Sequence, residues 1–404
     1  MEVALARQPI LNIDESIFAY ELLFRPLSDD YREFDGDKAT ARVITDSLDM
    51  IGLQDITGDK RGFINFTESL IKSEVPTILP RDKIGVEIIE DVGGDREVIR
   101  ACKRLKDDGY ILVLDDFTFE RDYVPLLDLV DIVKIDFLNS SKNNRKDIVD
   151  KLQDRDVKLL AEKVESREDF QEAKEQGYSY LQGFYFHKPN IISGQSLPNY
   201  KVNQIRLLNE VNKLEPDFER IEKIVKNDAS MSYSILRIIN SPYYELRFRV
   251  KSIKQAIVLL GLREFKKWLN LYILRGLGVK KPKVLLNNSL IRAKFCEKIA
   301  SLLDDEQRKL DYFTMGLFSL VNSILDRPIE KIIEELFLPD DIVDALLFRK
   351  GKTGEVLKLI INYEKGNWES VDYFIDALKL NNSRVSRIYY QSVKAANIID
   401  SALE

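Results

Sequence analysis

Residues 84–117 contain Ile84-Gly85-Val86-Glu87-Ile88-Ile89-Glu90, a connection to Asp95, a helix-like stretch Arg96–Lys106, and then Ile111-Leu112-Val113-Leu114-Asp115-Asp116-Phe117. Two short runs of Ile, Val and Leu flank a segment whose apolar residues recur at helical spacing, the pattern of a β-α-β unit. Each run closes on carboxylates. Outward from this unit, Gly62–Phe66, Ile17–Phe24 and Val3–Ala6 precede it, and Ile132–Ile135, Lys158–Ala161 and Tyr180–Tyr185 follow it. Helix-like stretches Ala39–Met50, Arg145–Leu152 and Arg167–Glu175 lie between them. The alternation predicts an α/β architecture with a parallel sheet, closed or open. About eight strands favour a TIM-like β/α barrel. At about 190 residues it is a shortened one, with helices clipped or missing, because about 250 is typical.

Lys188–Tyr200, with Pro189, Gly194 and Pro198, reads as a linker. The expected division is a first domain over 1–189, a linker over 190–201 and a second domain over 202–404. In the second domain Ile205, Leu207, Leu208, Val211 and Leu214 recur at helical spacing. Further helices are expected at Phe218–Lys226, Met231–Ile239, Ile253–Leu260, Glu264–Leu274, Ser289–Leu303, Tyr312–Ile324, Asp340–Leu347, Thr353–Tyr363, Ser370–Leu378 and about Arg384–Leu403. No strand-like alternation interrupts them, so this half is all-helical. Lys280-Lys281-Pro282-Lys283 reads as a loop with solvated charges.

The chain has 404 residues, with 61 Lys and Arg against 67 Asp and Glu and a net charge of −6. That balance excludes a generally basic, nucleic-acid-coating protein. A hydrophobic share of 45% excludes a disordered chain. No apolar run approaches the roughly 18–20 residues of a membrane span. Met1–Asp14 carries no signal-peptide core, so a cytoplasmic place with no membrane and no nucleic-acid partner is expected. Two distant cysteines, Cys102 and Cys296, exclude a disulfide framework. The single histidine, His187, is expected at the barrel rim and outside any ligand set.

Polar residues recur at successive strand ends. In a β/α barrel these ends converge on one mouth. Glu21, Asn65, Glu87 and Asp115 would form there a ring of hard oxygen donors, which suits Mg²⁺ or Mn²⁺ and disfavours Zn²⁺. Asp116 beside Asp115 would allow a second ion, a device for attack on phosphate esters. Arg25 shares the Glu21 face by strand alternation and could hold a phosphate. Taken singly, each position has a plainer reading. Asp115 could cap a helix, Lys134 could pair with Asp136, and Gln182-Gly183 could be a turn. A glycosidase using Glu87 or Glu162 as acid and base is a further reading, but the Asn, the Lys and the extra carboxylates suit a metal site better.

Gln8-Pro9-Ile10, Glu21-Leu22-Leu23-Phe24-Arg25, Asn65, Glu87-Ile88-Ile89-Glu90, Asp115-Asp116-Phe117, Lys134-Ile135-Asp136, Ala161-Glu162-Lys163-Val164-Glu165 and Gln182-Gly183-Phe184 match, in order, the motifs of EAL domains. The resemblance covers residues 1 to about 190. EAL domains are barrel-fold cyclic di-GMP phosphodiesterases. The resemblance implies metal ligands at Glu21, Asn65, Glu87 and Asp115, with Asp116 reaching a second ion. It implies phosphate binding by Arg25, steering of the attacking water by Lys134 and a general base at Glu162. Glu90 would brace the loop after Asp116, and Asp136, Glu165 and Gln182 would support metal or substrate. The second half resembles the HDOD domain through Ser234-Ile235-Leu236-Arg237, Asn240-Ser241-Pro242, Ala256–Leu262 and Arg292–Glu297. HDOD domains are relatives of HD phosphohydrolases, which use several histidines. This half has none after His187, so a binding or output role with a protein partner is implied.

Three departures from the EAL pattern stand out. Leu22 replaces an alanine on the face away from Glu21. Thr118-Phe119-Glu120 replaces Gly-Thr-Gly, which removes backbone freedom and adds a negative charge near an anionic substrate. Lys163 replaces a glycine, and its charge can meet a phosphate or face solvent. The preferred reading is therefore a cyclic di-GMP signalling protein whose EAL-like domain is catalytically weak or inactive and acts as a sensor for the HDOD domain. Alternatives are a working phosphodiesterase that opens the ring to linear pGpG, and a pure protein-interaction scaffold. A homodimer is compatible with all three.

Overall fold

The computed structural model describes residues 3–27, 52–119, 124–188, 210, 213, 215–227, 229–246, 248–278, 281–334 and 338–403. The expected helix Ala39–Met50, Glu120, most of the linker, the helical repeat of Ile205 to Leu214, and Lys280 lie outside these residues. The described chain forms two compact units, the first built from residues up to Phe186 and the second mainly from residues after it.

The first unit is a closed eight-stranded barrel in the order β1 to β8. The strands are β1 (Val3–Asn12), β2 (Ile17–Pro26), β3 (Arg61–Phe66), β4 (Ile84–Ile88), β5 (Ile111–Leu114), β6 (Ile132–Asp136), β7 (Lys158–Glu162) and β8 (Tyr180–Gln182). The expected all-parallel sheet is corrected at one strand. β1 runs antiparallel to both β2 and β8, while β2 through β8 are parallel. Only the four residues 13–16 separate β1 from β2, enough for a hairpin and far too few for a parallel crossover. The helices between later strands start where side chains cap them. Asp95 accepts from the Glu97 and Val98 amides at 2.8 and 2.9 Å, and Ser166 with Asp169 forms a capping box. Several helices are short, as expected; Leu53–Thr57 and Glu68–Lys72 have five residues each and Val124–Leu127 four.

Strand alternation sets the site's height. Ile10, Ala19, Phe63, Val113, Ile132, Leu160 and Tyr180 form one buried apolar cluster. One pleat period nearer the mouth stand Gln8, Glu21, Asn65, Asp115, Lys134, Glu162 and Gln182. On β4 the residue beneath Glu87 is Gly85, and the Phe63 ring fills its place. A Cβ on Gly85 would lie 2.6 Å from Phe63 Cδ1. The barrel therefore has an apolar floor under a polar layer.

Gly183, just past β8, has φ 151°, and a Cβ there would stand 2.2 Å from the Val164 carbonyl oxygen and 2.5 Å from its nitrogen. Backbone meets backbone at this point, so Gly183→Ala has no cheap relaxation. We expect it to destabilise the barrel by about 3 kcal/mol or more. Chemical denaturation followed by circular dichroism measures this, and an unchanged midpoint would refute it.

The second unit is all-helical among the described residues. The expected division between Ile253–Leu260 and Glu264–Leu274 is present: the helical stretch Ile253–Leu277 is broken at Gly261, with φ 70° and ψ 164°. Tyr312–Ile324 divides into Lys309–Phe318 and Val321–Leu325. A helix at Ile329–Glu334 was not expected. Asn240 follows the helix Ala229–Ile239; its side-chain oxygen accepts from the Val250 amide at 2.7 Å and its side-chain nitrogen donates to the Val250 carbonyl at 2.9 Å. Lys281 corrects the solvated-loop expectation, because its ammonium lies 2.5 Å from Asp326 Oδ1 with the side chain 12% exposed. No described helix is long and apolar enough to cross a membrane.

Candidate active site at the barrel mouth

Lys134 is the centre of the polar layer. It comes from the middle of β6 and is 1% exposed. Its Nζ lies 2.6 Å from Glu162 Oε1, 2.9 Å from Asp115 Oδ1 and 3.9 Å from Glu21 Oε1, and it donates to Glu87 Oε1. β2, β4, β5 and β7 thus each send a carboxylate to one ammonium. The Asn65 amide donates to Glu21 Oε1 at 3.1 Å. Gln182 donates to Glu21 Oε2 and, at 3.2 Å, to Gln8 Oε1. The alternative pairing of Lys134 with Asp136 is not formed. Asp136 accepts from the Leu138 and Asn139 amides at 2.7 and 3.0 Å, from the Asn139 side chain at 2.7 Å, and from Lys163.

The remaining residues lie further out. Arg25 is half-buried at the end of β2. Glu90 is half-buried, two residues past β4, and acts electrostatically on Asp116. Glu165 is exposed, three residues past β7, and is not among the residues gathered around Lys134. Asp116 follows β5 in a left-handed conformation, φ 40°. Leu22 is buried on the opposite face of β2, as alternation requires. Thr118 is not among the positive-φ residues, so it sits without left-handed strain. Phe119 packs edge-on to Phe117 with centroids 4.9 Å apart, and Lys151 lies 4.6 Å over its ring. Gln8, for which the motif Gln8-Pro9-Ile10 implied no role, accepts from Gln182 in the polar layer. The antiparallel direction of β1 turns its early residues toward the mouth, which alternation alone does not reveal.

Charge crowding dominates the chemistry. Four carboxylates share one ammonium in a dry place. Burial pushes Glu87 well above the usual carboxylate range; Lys134 opposes this, and Glu21, Asp115 and Glu162 reinforce it. Burial likewise pushes Glu162 up to about 8 against the pull of Lys134. Burial would lower Lys134, but Glu162, Glu21, Glu87 and Asp115 hold it well above its ordinary value. Burial and then Asp115 raise Asp116, with Lys163 opposing.

Of the buried oxygens without a hydrogen-bond partner among the described residues, four come from residues of this site: Asn65 Oδ1, Glu87 Oε2, Asp116 Oδ1 and Gln182 Oε1. All four are acceptors. Excess negative charge together with orphaned acceptors is what a cation satisfies. Two groups have ligand atoms within 4.8 Å of one another, Glu21–Glu87–Glu162 and Asp115–Asp116–Glu162. Among the described residues both such groups lie in the barrel and none in the helical unit.

A pH dependence follows from this crowding. The folded value of about 8 for Glu162 stands above its ordinary 4.5, so the native state holds this proton more tightly than the unfolded chain. Its stabilising contribution is complete below 4.5 and is lost as pH rises through about 8. Glu87 acts in the same direction. The barrel in EDTA should therefore lose a few kcal/mol between about pH 5.5 and 8.5. Denaturation midpoints that stay flat or rise over this range would exclude the crowding.

The EAL domain family matches residues 2–189 and the HDOD domain family residues 197–325. The uncharacterized protein YuxH of Bacillus subtilis (strain 168) is 38% identical over 379 residues, 92% of each chain. The cyclic di-GMP phosphodiesterase CdgJ of Vibrio cholerae serotype O1 is 34% identical over 371 residues, 91% of this chain and 86% of that one. The solved structure of Bacillus subtilis YkuI, with an EAL domain in complex with substrate c-di-GMP and calcium, is 18% identical. It covers 56% of this chain and 71% of that chain, with a TM-score of 0.37. The chain belongs to the family of proteins that join an EAL domain to an HDOD domain.

Proposed function

We propose that this chain is a cytoplasmic cyclic di-GMP signalling protein. Its EAL domain, residues 1–189, takes the dinucleotide at the barrel mouth together with Mg²⁺ or Mn²⁺ and cleaves it weakly. Its HDOD domain, residues 202–404, passes occupancy to a protein partner. The observation that carries the reading is the polar layer itself: four carboxylates around Lys134, with orphaned acceptors from Asn65, Glu87, Asp116 and Gln182 in the same barrel.

Glu21, Asn65, Glu87 and Asp115 would hold one cation, with Asp116 and Glu162 reaching a second. Bound there, a divalent cation would offset the surplus negative charge, polarise a phosphoryl oxygen and lower the pKa of the attacking water. The chain's own groups do the rest. Arg25 would hold a phosphate oxygen through its planar fork. Lys134 would orient the water toward phosphorus. Glu162 would accept the water's proton as the new P–O bond forms, and the P–O3′ bond would break with the departing oxygen taking a proton from solvent water. The product is the linear dinucleotide. Glu90 would brace the Asp116 loop, Gln182 would fix Glu21, Asp136 would hold Lys163, and Glu165 would support the substrate side of the mouth.

The test is turnover of cyclic di-GMP with Mn²⁺, the linear product followed by chromatography, with Glu21→Ala as control. Slow product from wild type and none from the control supports the reading. Binding without product removes the catalytic part and leaves a sensor. Neither binding nor product overturns the reading in favour of a scaffold.

A further inference from the structure

Lys163 is the residue whose surroundings the proposed reaction leaves unexplained. It follows Glu162 directly, and its backbone is left-handed at φ 52°, a conformation that glycine adopts freely and lysine does not. Its ammonium is fixed by an ion pair to Asp136 Oδ2. Asp136 is itself pinned by three donors from Leu138 and Asn139. The lysine side chain is 45% exposed, yet its charge acts on both Asp116 and Glu162. Lys134 lies against both candidate groups, Glu21, Glu87 and Glu162 of one and Asp115 and Glu162 of the other, so it opposes an ion at either. Lys163 is the cation that distinguishes them: it acts on two members of the Asp115–Asp116–Glu162 group and on the Glu21–Glu87–Glu162 group through Glu162 alone.

We propose that Lys163 is a resident cation that competes with the divalent ion of the Asp115–Asp116–Glu162 group, so the mouth binds one metal ion tightly and the second weakly. The proposal rests on the metal-binding reading above and gives a cause for weak turnover. Repulsion between a fixed ammonium and an incoming dication falls on the second group first, because Asp136, which anchors Lys163, ends β6 between the strands that lead to Asp116 and Glu162. Partial exposure screens it, which limits the effect to about tenfold in affinity.

The experiment is titration of the full chain with Mn²⁺ alone, free ion being read by electron paramagnetic resonance. Wild type should bind two ions of unequal affinity. Lys163→Met removes the charge and keeps a non-glycine at φ 52°; it should tighten the weaker ion about tenfold and leave the tighter one within about twofold. Lys163→Gly, which also relieves the backbone, should do the same and serves if the Met variant folds poorly. Lys163→Arg keeps the charge and should behave as wild type. Two ions bound identically by wild type, Met and Gly variants would overturn the proposal and leave the metal reading intact. An Arg variant that behaves like the Met variant would also overturn it, because charge would not be the cause. No Mn²⁺ bound by any variant would remove both.

Discussion

Lys134→Met is expected to lower the barrel's stability by about 3–5 kcal/mol in EDTA at pH 7.5. The side chain is 1% exposed and serves four carboxylates, of which Glu87 is fully buried. Methionine fills much the same space, so packing changes little. What is lost is the ammonium at the centre of carboxylates that burial keeps from solvent. Such groups neutralise by taking up protons, and that uptake sets the cost. The loss should therefore shrink at pH 5.5, where protons are plentiful, and in millimolar Mn²⁺. It should also shrink in the double variant with Glu87→Gln. The chain carries an internal control. Its two tryptophans, Trp268 and Trp368, both lie in the helical unit, so circular dichroism should record the barrel's early unfolding while tryptophan fluorescence holds its midpoint. A barrel midpoint unchanged by Lys134→Met would mean that the ammonium does not balance the carboxylates.

Much of this site was legible from residue order, because a barrel converts a one-dimensional rule into a place. A polar residue two positions beyond an apolar one, at the mouthward end of a strand, lies on the same face one layer up. Phe63 and Asn65, Val113 and Asp115, Ile132 and Lys134, and Leu160 and Glu162 all obey this rule. Periodicity identifies a face and is blind to direction, so the antiparallel run of β1 and the place of Gln8 escaped it. It is also blind to which of two neighbouring acids a lysine chooses. Lys134 bonds Glu162 and its companions, while Asp136, two residues along the same strand, is claimed by backbone amides and Lys163. The break at Gly261 was legible, because the helical pattern stops at Leu260 and resumes at Glu264. The ion pair of Lys281 with Asp326 joins residues 45 positions apart, beyond any local pattern.

Glu162→Gln should separate two roles that the geometry allows to one residue. Glu162 lies 2.6 Å from the Lys134 ammonium, as a proton acceptor for a lysine-held water would, and it also belongs to both candidate metal groups. Glutamine keeps the shape and one accepting oxygen. It removes one negative charge from the crowd, so the metal-free barrel should be no less stable than wild type and should lose part of its pH dependence. Turnover should nevertheless fall by about 10²–10⁴-fold, the usual cost of losing a general base. The informative comparison is between turnover and Mn²⁺ binding. A fall in turnover with both ions still bound assigns Glu162 to the proton. A parallel loss of the second ion assigns it to the metal, and the base must then be sought elsewhere in the layer. Turnover within about threefold of wild type would exclude both roles. A stability that holds or rises while activity collapses is the signature of a site whose carboxylates are gathered for chemistry at a cost to the fold.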